Sequence, residues 1–572
     1  MPRQRFSWMV AVVSLASSLS QAGTFQVDTT VDEVDALPGD GACATSIGTC
    51  TLRAAIQEAN ALPGEDVIEV PPGDYALTIP GSGEDAASTG DLDISDDLVL
   101  TGAGLEETLI DGAGLDRVFD IPWLFDPDAF PIVELAGVTV LGGAAEPGGG
   151  IRAEFAQLRV LDSAVEGNLG GGIDLSYGAL QVSQSSVEGN SSDDSGGGIY
   201  AYWSDVTIEG SAILGNDSAA GGGGLAAGDS EVTIRDSLVS ENSAAYTGGL
   251  SLGDSSLLAE RTTVSNNSAA EGAGGIGQGQ YTAGLVSSST IAGNRSDSGA
   301  GGIRVGSTSV VTIENSTISG NAGFEAGGIG LESGAAQISS STIVDNESAQ
   351  GGGGIGAYWG SPIGIKSSIL AENRASLAEP DCFVEGDDYF YSDGHNILGD
   401  ATGCDFGAVP SDQVGVAPTP IDPRLGPLAE NGGPTLTHAL LPGSPAVDVV
   451  PPDSCLPLTA DQRAVDRPQG VACDAGAFEL EQPIPPPPGG TFPLCKIGNG
   501  GKERTKLVAP NKLGKQLANG LLFGECATPS NGRVMCRTKS GGRMSNVLIA
   551  EGRVQRALDK GGFTLGACST LP

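Results

Sequence analysis

Glu166 and Glu188 lie 22 residues apart, at the same place in two closely related stretches, VEGNLGGGI and VEGNSSDDSGGGI. If those stretches stack, the two carboxylates face each other. Such a pair either holds one proton more tightly or binds a hard cation, calcium being the candidate; two splayed, solvated glutamates are the plainer account. A second set of candidates is aromatic. Tyr202-Trp203 and Tyr358-Trp359 each follow a recurring Ile by three and four residues, and Tyr177 shares the second of these places. Rings along one edge of a rigid support can stack on sugars; isolated packing at bends is the plainer account. Only two histidines occur, His395 and His438, both outside the regular repeats. No nucleophile–histidine arrangement can be argued, and no catalytic constellation is visible.

The elements that must position these residues follow from a repeat. The Ile or Leu closing each glycine cluster falls at Ile151, Ile173, Ile199, Leu225, Leu250, Ile276, Ile303, Ile329 and Ile355. After a first interval of 22 residues the spacing stays between 25 and 27. Asn168, Asn190, Asn216, Asn242, Asn267, Asn294, Asn321, Asn346 and Asn373 keep step, each with Ser or Thr five residues before it. Within one copy, Val311 and Ile313 alternate with polar residues, and Ile318 follows after a break of phase. Period-two alternation is the strand signal, and the break implies a bend that turns Ile318 inward again. Each copy then reads as one turn of three short strands, and stacked copies form a right-handed parallel β-helix, an all-β solenoid. The Asn series predicts an internal amide ladder, with Asn also suited to left-handed backbone. The glycines predict a tight bend with close backbone approach and positive φ.

Equal phase on neighbouring coils means side chains about 5 Å apart, so charges can be paired on paper. Glu209, Arg235 and Glu260 alternate, Asp236 meets Arg261, and Glu347 meets Arg374, while Arg295 and Arg304 have no partner at their own phase. Such ladders stabilise a sheet by about 0.2–1 kcal/mol per pair.

Composition narrows the class. Lys and Arg number 28 against 71 Asp and Glu, a formal charge of −43 that argues against nucleic acid. Arg3 and Arg5 precede WMVAVVSLASSL and the small-x-small site Ser20-Gln21-Ala22. This reads as a signal peptide over 1–22 and an exported chain, with no spanning segment expected after cleavage. In that compartment ten cysteines without a Cys-x-x-Cys read as disulfides rather than metal ligands.

Four separated stretches, Cys50-Thr-Leu-Arg-Ala-Ala-Ile56, GDLDI (90–94), NGGPTLTHALLPGSPAVD (431–448) and CDAGAFEL (473–480), occur in order. Together they resemble exported bacterial β-helix proteins that begin with a Cys-Ser-Leu-Arg-Glu-Ala type motif and end in a choice-of-anchor Q region, a pectin-lyase-like fold. Thr51 and Ala54 depart from the Ser and Glu of that motif. Asn346-Glu-Ser-Ala349 with Gly351–Ile355 is similar to polymorphic outer-membrane protein repeats. The resemblance implies a secreted or surface location and no established chemistry. The expected layout is an N-terminal cap at 23–90, coils at 91–400, a C-terminal cap at 401–482, a Pro-rich linker at 483–490 and a basic segment at 491–572. Leu52, Ala55, Ile56 and Ala59 predict a helix over 51–60 across the first coil. Cys43 and Cys50 would staple the entrance, and Cys382 with Cys404 and Cys455 with Cys473 the far end.

Charge reverses at the C-terminus. Residues 495–568 carry 13 Lys and Arg against 4 Asp and Glu, whereas residues 23–490 carry 13 against 67. Residues 495–526 and 536–568 are a tandem duplication, each reading as a small strand–helix module. Units of about 32 residues bury little core alone, so each is expected to close on itself, as Cys495–Cys526 and Cys536–Cys568. The functional expectation is an exported scaffold that presents or binds something, polysaccharide or another envelope component being the candidate partner. The alternative is a polysaccharide lyase or glycoside hydrolase, which a close basic–acidic cluster in a groove of the folded rod would favour.

Overall fold

A computed structural model describes residues 22–123, 130–376, 380–386 and 389–481, together with strands lying between 492 and 565. It divides into two units, 1–481 and 482–572.

The first unit is a parallel β-solenoid. Strand Val310–Glu314 shows how the sequence builds a coil. Val311 and Ile313 point inward and are fully buried, whereas Val310 is 43% exposed. Asn315 then takes a left-handed φ of 46°, the chain turns, and strand Thr317–Ser319 sends Ile318 into the same core. Ile303–Val305 supplies the third wall. Burying a side chain such as Ile313 contributes about 1.5–3 kcal/mol, and the stack repeats this coil after coil. Three long sheets result, of 15, 12 and 14 strands, and their strands pair in parallel from coil to coil. A fourth, eight-stranded sheet was not foreseen. Its two-residue strands, such as Ala322–Gly323, directly follow the ladder Asn residues from Asn190 onward. Coil strands also begin earlier and end later than the expected 91–400: Thr24–Gln26 opens the 15-stranded sheet and Gln413–Val414 closes the 14-stranded one.

The Asn ladder is present throughout. From Asn168 to Asn346 each Nδ2 donates to the Oδ1 of the next Asn at 2.9–3.0 Å. Asn373 ends the series on Asp381 Oδ1. Left-handed backbone falls on the residue before each Asn, such as Glu241 and Asp345, and not on the ladder Asn. The amide is therefore selected for its two-sided hydrogen bonding alone. The glycine expectation holds in part: Gly148, Gly196, Gly222 and Gly272 take positive φ, but the last glycines of the clusters do not. Gly302 and Gly328 do not have positive φ; a Cβ on Gly302 would sit 2.5 Å from the Gly328 carbonyl oxygen, and one on Gly328 2.5 Å from that of Gly354. Close approach between coils is the reason for glycine here. The Ser and Thr five residues earlier form a second buried ladder, in which Ser185 Oγ accepts from Ser163 N and Ser211 Oγ from Ser185 N.

At the N-terminus the predicted helix spans Leu52–Ala61, with Thr51 Oγ1 accepting from Ala54 N as its cap. At the far end the expected cap lies along the flank. Residues 425–481 fold back over the outer face of late strands of the 14-stranded sheet. There Thr290 donates to the Leu436 carbonyl and Thr342 accepts from Ala477 N. Val344, Ile369 and Ala371 share a buried cluster with Leu440, Ala446 and Phe478. The cause is visible in the outward positions of these late strands, which carry Ala292, Ser319, Val344 and Ala371 where earlier coils carry Glu166 and Glu188. Disulfides Cys43–Cys50, Cys382–Cys404 and Cys455–Cys473 form as expected.

The second unit holds two antiparallel three-stranded sheets of identical order. Phe492–Ile497 lies between Glu503–Val508 and Leu522–Phe523, and Gly532–Thr538 between Met544–Ala550 and Phe563–Leu565. The duplication is thus structural. Its helix-like stretches, Cys526 and Cys568 lie outside the described residues, as do the signal-peptide residues 1–21 and the linker.

Candidate functional site

The chemistry gathers on the outer face of the 12-stranded sheet, at the N-terminal end of the rod. The residue after each inward Ile, Leu or Phe points out, and parallel register stacks Asp93, Asp120, Arg152, Asp174 and Tyr200 as a ladder. Asp91, one outward position before Asp93, joins them. Asp91, Asp93 and Asp120 each offer a carboxylate oxygen, and these oxygens lie within 4.8 Å of one another. All three are buried: 3%, 0% and 5% exposed.

The helix Leu52–Ala61 positions this cluster. Arg53, Gln57 and Asn60 stand on one helical face, and all three bind the segment that carries Asp91 and Asp93. Arg53 pairs with Asp32 at 2.6 Å and donates to the carbonyls of Ala87, Gly90 and Asp91. Gln57 donates to the carbonyls of Ala86 and Ala87; Asn60 donates to that of Asp93 and accepts from Ser95 N. Two stretches that carry the family resemblance, around Arg53 and at GDLDI, are therefore bonded to each other.

Each carboxylate has one oxygen engaged and one without a hydrogen bond. Asp91 Oδ2 lies 3.0 Å from Arg117 Nε, Asp93 Oδ2 accepts from Ala87 N at 2.6 Å, and Asp120 Oδ2 accepts from Arg152 at 3.2 Å. Their Oδ1 atoms have no partner, nor has Oδ2 of neighbouring Asp116. Burial, reinforced by Asp116 and Asp120, pushes Asp91 up to about 7. Burial, against the Ala87 N–H and with Asp91 and Asp120 nearby, pushes Asp93 up to about 8. Asp120 is also raised by burial, although Arg117 and Arg152 oppose it.

On the next coils the ladder floors an open groove of about 360 Å³ lined by Glu146, Glu154, Asp174, Ser176, Asp194 and Tyr200. Arg152 pairs there with Glu154 at 2.6 Å. Burial pushes Asp174 up to about 6 despite Arg152.

One edge of these same coils is aromatic. Phe155, Tyr177 and Trp203 occupy successive left-handed corners, with φ of 53°, 58° and 50°. Trp123 stacks on Phe155 with centroids 5.1 Å apart, Phe155 stacks on Tyr177 at 4.8 Å, and Tyr202 meets both Tyr177 and Trp203 edge-on. Tyr177 is 43% and Trp203 55% exposed. The predicted Tyr177, Tyr202 and Trp203 are thus neighbours in one continuous patch, while Tyr358 and Trp359 stand apart with Phe383.

Glu166 and Glu188 do stack in register and are half-buried. Burial and the neighbouring Glu188 raise the carboxyl of Glu166. Arg235–Glu260 and Arg261–Asp236 pair as expected. Arg304 and Arg295 are not solitary: Arg304 grips Glu332 diagonally on the next coil, and Arg295 pairs with Asp297 at 2.7 Å. Same-phase reasoning overlooks diagonal reach, which long side chains have. A serine–histidine contact, unforeseen in the sequence, also exists. His438 Nε2 lies 2.8 Å from Ser319 Oγ, and Nδ1 donates to the Gly426 carbonyl. Both side chains are buried under the folded-back flank, and burial lowers the His438 pKa. This contact joins flank to coil.

Sequence reasoning missed Asp91, Asp93, Asp120, Arg117, Arg152, Asp174 and Phe155. Arg152, Asp174 and Phe155 were legible, since they follow the repeat Ile by one, one and four residues. Asp93 and Asp120 were not: the intervals from Leu92 to Phe119 and on to Ile151 are 27 and 32 residues, too uneven to assign a phase.

Residues 133–283 and 253–375 match the family model for the right handed beta helix region. No curated protein matches the chain. Among solved structures, the periplasmic alginate epimerase AlgG is similar, with 10% identity and a TM-score of 0.34 over 64% of this chain and 82% of that one. The A-module of the Azotobacter vinelandii mannuronan C-5 epimerase AlgE6 is similar at 14% identity, with a TM-score of 0.25 over 60% of this chain and 94% of that one. Both are distant likenesses of coiled architecture, and no residue role passes from them to this chain.

Proposed function

We propose that the protein is an exported glycan-binding scaffold that takes an extended polysaccharide across the coils around Ile151, Ile173 and Ile199. One observation carries this reading: the exposed aromatic run Phe155, Tyr177, Tyr202 and Trp203 flanks a groove floored by Glu154, Asp174 and Ser176. Flat rings beside hydroxyl-binding carboxylates suit the two faces of a pyranose chain. The groove is acidic, so uronate polymers are repelled and a neutral or amino-sugar glycan is favoured. Three disulfides support export, as does the resemblance to exported β-helix proteins. Binding of the full chain to a glycan array tests the reading. The double variant Tyr177→Ala/Trp203→Ala is expected to lose about tenfold or more in affinity for the best glycan, each stacked ring contributing about 0.5–1.5 kcal/mol beyond its area. Equal binding by variant and parent rejects this face as the binding surface.

A second reading, a polysaccharide lyase or glycoside hydrolase, is favoured by Asp174. Its carboxyl, pushed up to about 6, shares the groove with Glu154 and Tyr200 and has Arg152 as its strand neighbour, a set able to move a proton near neutral pH. Release of reducing ends from the bound glycan, abolished in Asp174→Asn with binding retained, separates a catalyst from a scaffold.

A further inference from the structure

We propose that Asp91, Asp93 and Asp120 form a site for a hard divalent cation of the calcium class, bridging two coils at the N-terminal end of the rod. The argument begins with charge. Four buried carboxylates (Asp91, Asp93, Asp116 and Asp120) face only two guanidinium groups, and Arg152 is shared with Glu154 while Arg117 also donates to the Pro147 carbonyl. Arg53 is already committed to Asp32. Carboxyls buried this way hold protons unless a cation replaces them, because unpaired charge in a low dielectric is strongly disfavoured.

The geometry supplies a place for that partner. Arg117, the Ala87 N–H and Arg152 each engage one oxygen of a carboxylate, which leaves three buried Oδ1 atoms without a hydrogen bond. The unpartnered Asp116 Oδ2, on the chain just before Arg117, adds an acceptor beside Asp91 from outside the trio. Three carboxylate oxygens within 4.8 Å of one another are close enough to share one cation, and an all-oxygen donor set is what calcium and other hard divalent ions prefer. With no His or Cys among the ligands, zinc and copper have no preferred donor. The cradle is fixed in advance by Arg53, Gln57 and Asn60, which hold the chain through Asp91 and Asp93.

The same groups dictate a pH dependence. Asp91 faces Asp116, Asp120 and Arg117; Asp93 faces Asp91, Asp120, Glu84 and the Ala87 N–H; Asp120 faces Arg117, Arg152, Glu154 and Asp85. Protons compete with the cation for the same carboxylate oxygens, so affinity falls as the pH drops. This inference stands apart from the glycan reading and needs no sugar to be tested.

The test is calorimetric titration of the chelator-stripped full chain with CaCl2 at pH 8.5. One equivalent is expected, weakening as the pH is lowered. Asp93→Asn and Asp120→Asn should each abolish that equivalent, and calcium should raise the Tm of the parent but not of either variant. Folding is controlled in the same samples. In chelator at pH 8.5, Asp93→Asn should melt no lower than the parent, because it removes a buried like charge. The proposal is overturned if no equivalent binds, if the variants retain it, or if Glu166→Gln/Glu188→Gln removes it instead.

Discussion

Each ladder amide serves two coils at once, which makes single residues unusually consequential. Asn242 Oδ1 accepts from both the backbone N–H and the Nδ2 of Asn216, while its own Nδ2 donates to Ile213 O and Asn267 Oδ1. Replacing it by Leu leaves the Asn216 N–H and the Ile213 carbonyl buried without these bonds, at about 1–3 kcal/mol each. Asn242→Leu should therefore lower stability by at least about 2 kcal/mol in denaturant titration. A loss no larger than that of an exposed change such as Asp229→Asn would contradict the ladder's energetic role. Phe155, Tyr177 and Trp203 make the complementary point. They hold left-handed corners, where Asp229 and Asp254 stand on the following coils. A bulky aromatic is disfavoured at positive φ, so its use on three successive corners points to a purpose beyond turning the chain.

At the scale of elements, the distance between stacked coils controls what the corners accept. Gly302 lies where a Cβ meets the Gly328 carbonyl, and both partners are backbone, with no side chain to swing away. Gly302→Ala should cost about 1–3 kcal/mol or more, as overpacking does. A variant with parental Tm would mean that the sheets can separate locally. The helix Leu52–Ala61 shows a different division of labour. Its apolar residues Leu52, Ala55, Ile56 and Ala59 close the core, and its polar face holds the acid-bearing segment 86–95. An amphipathic pattern announces the first role; only the folded contact reveals the second.

Over the whole rod, buried acids set how stability responds to pH. Burial pushes Asp91 and Asp93 up to about 7 and 8, and Asp174, Asp381 and Asp474 up to about 6 each, from 3.8. A carboxyl that holds its proton more tightly when folded favours the fold while protonated. That stability is present below the unfolded pKa and is lost as pH rises through the folded value. In chelator, the Tm should therefore peak on the acid side, near pH 4 to 5, and decline toward pH 8. Calcium should recover part of the decline, because Asp381 and Asp474 lie outside the proposed site. A Tm that rises steadily from pH 5 to 8 in chelator would refute the assignment of these acids as held protonated by burial.

The 26-residue rhythm by itself determined the solenoid, its inward residues and the amide ladder. It could do so because a repeat makes every coil a neighbour of the next, so that equal phase already means contact. Where the rhythm fails, contact has no local signature. The 27- and 32-residue intervals before Ile151 hid the meeting of Asp93 with Asp120 and Arg152. The return of residues 425–481 along the rod, with His438 beside Ser319 from 119 residues earlier, depends on an apolar outer face assembled only by stacking. Tertiary structure alone decided where the acids converge, because burial and pKa arise from atoms that the sequence keeps far apart.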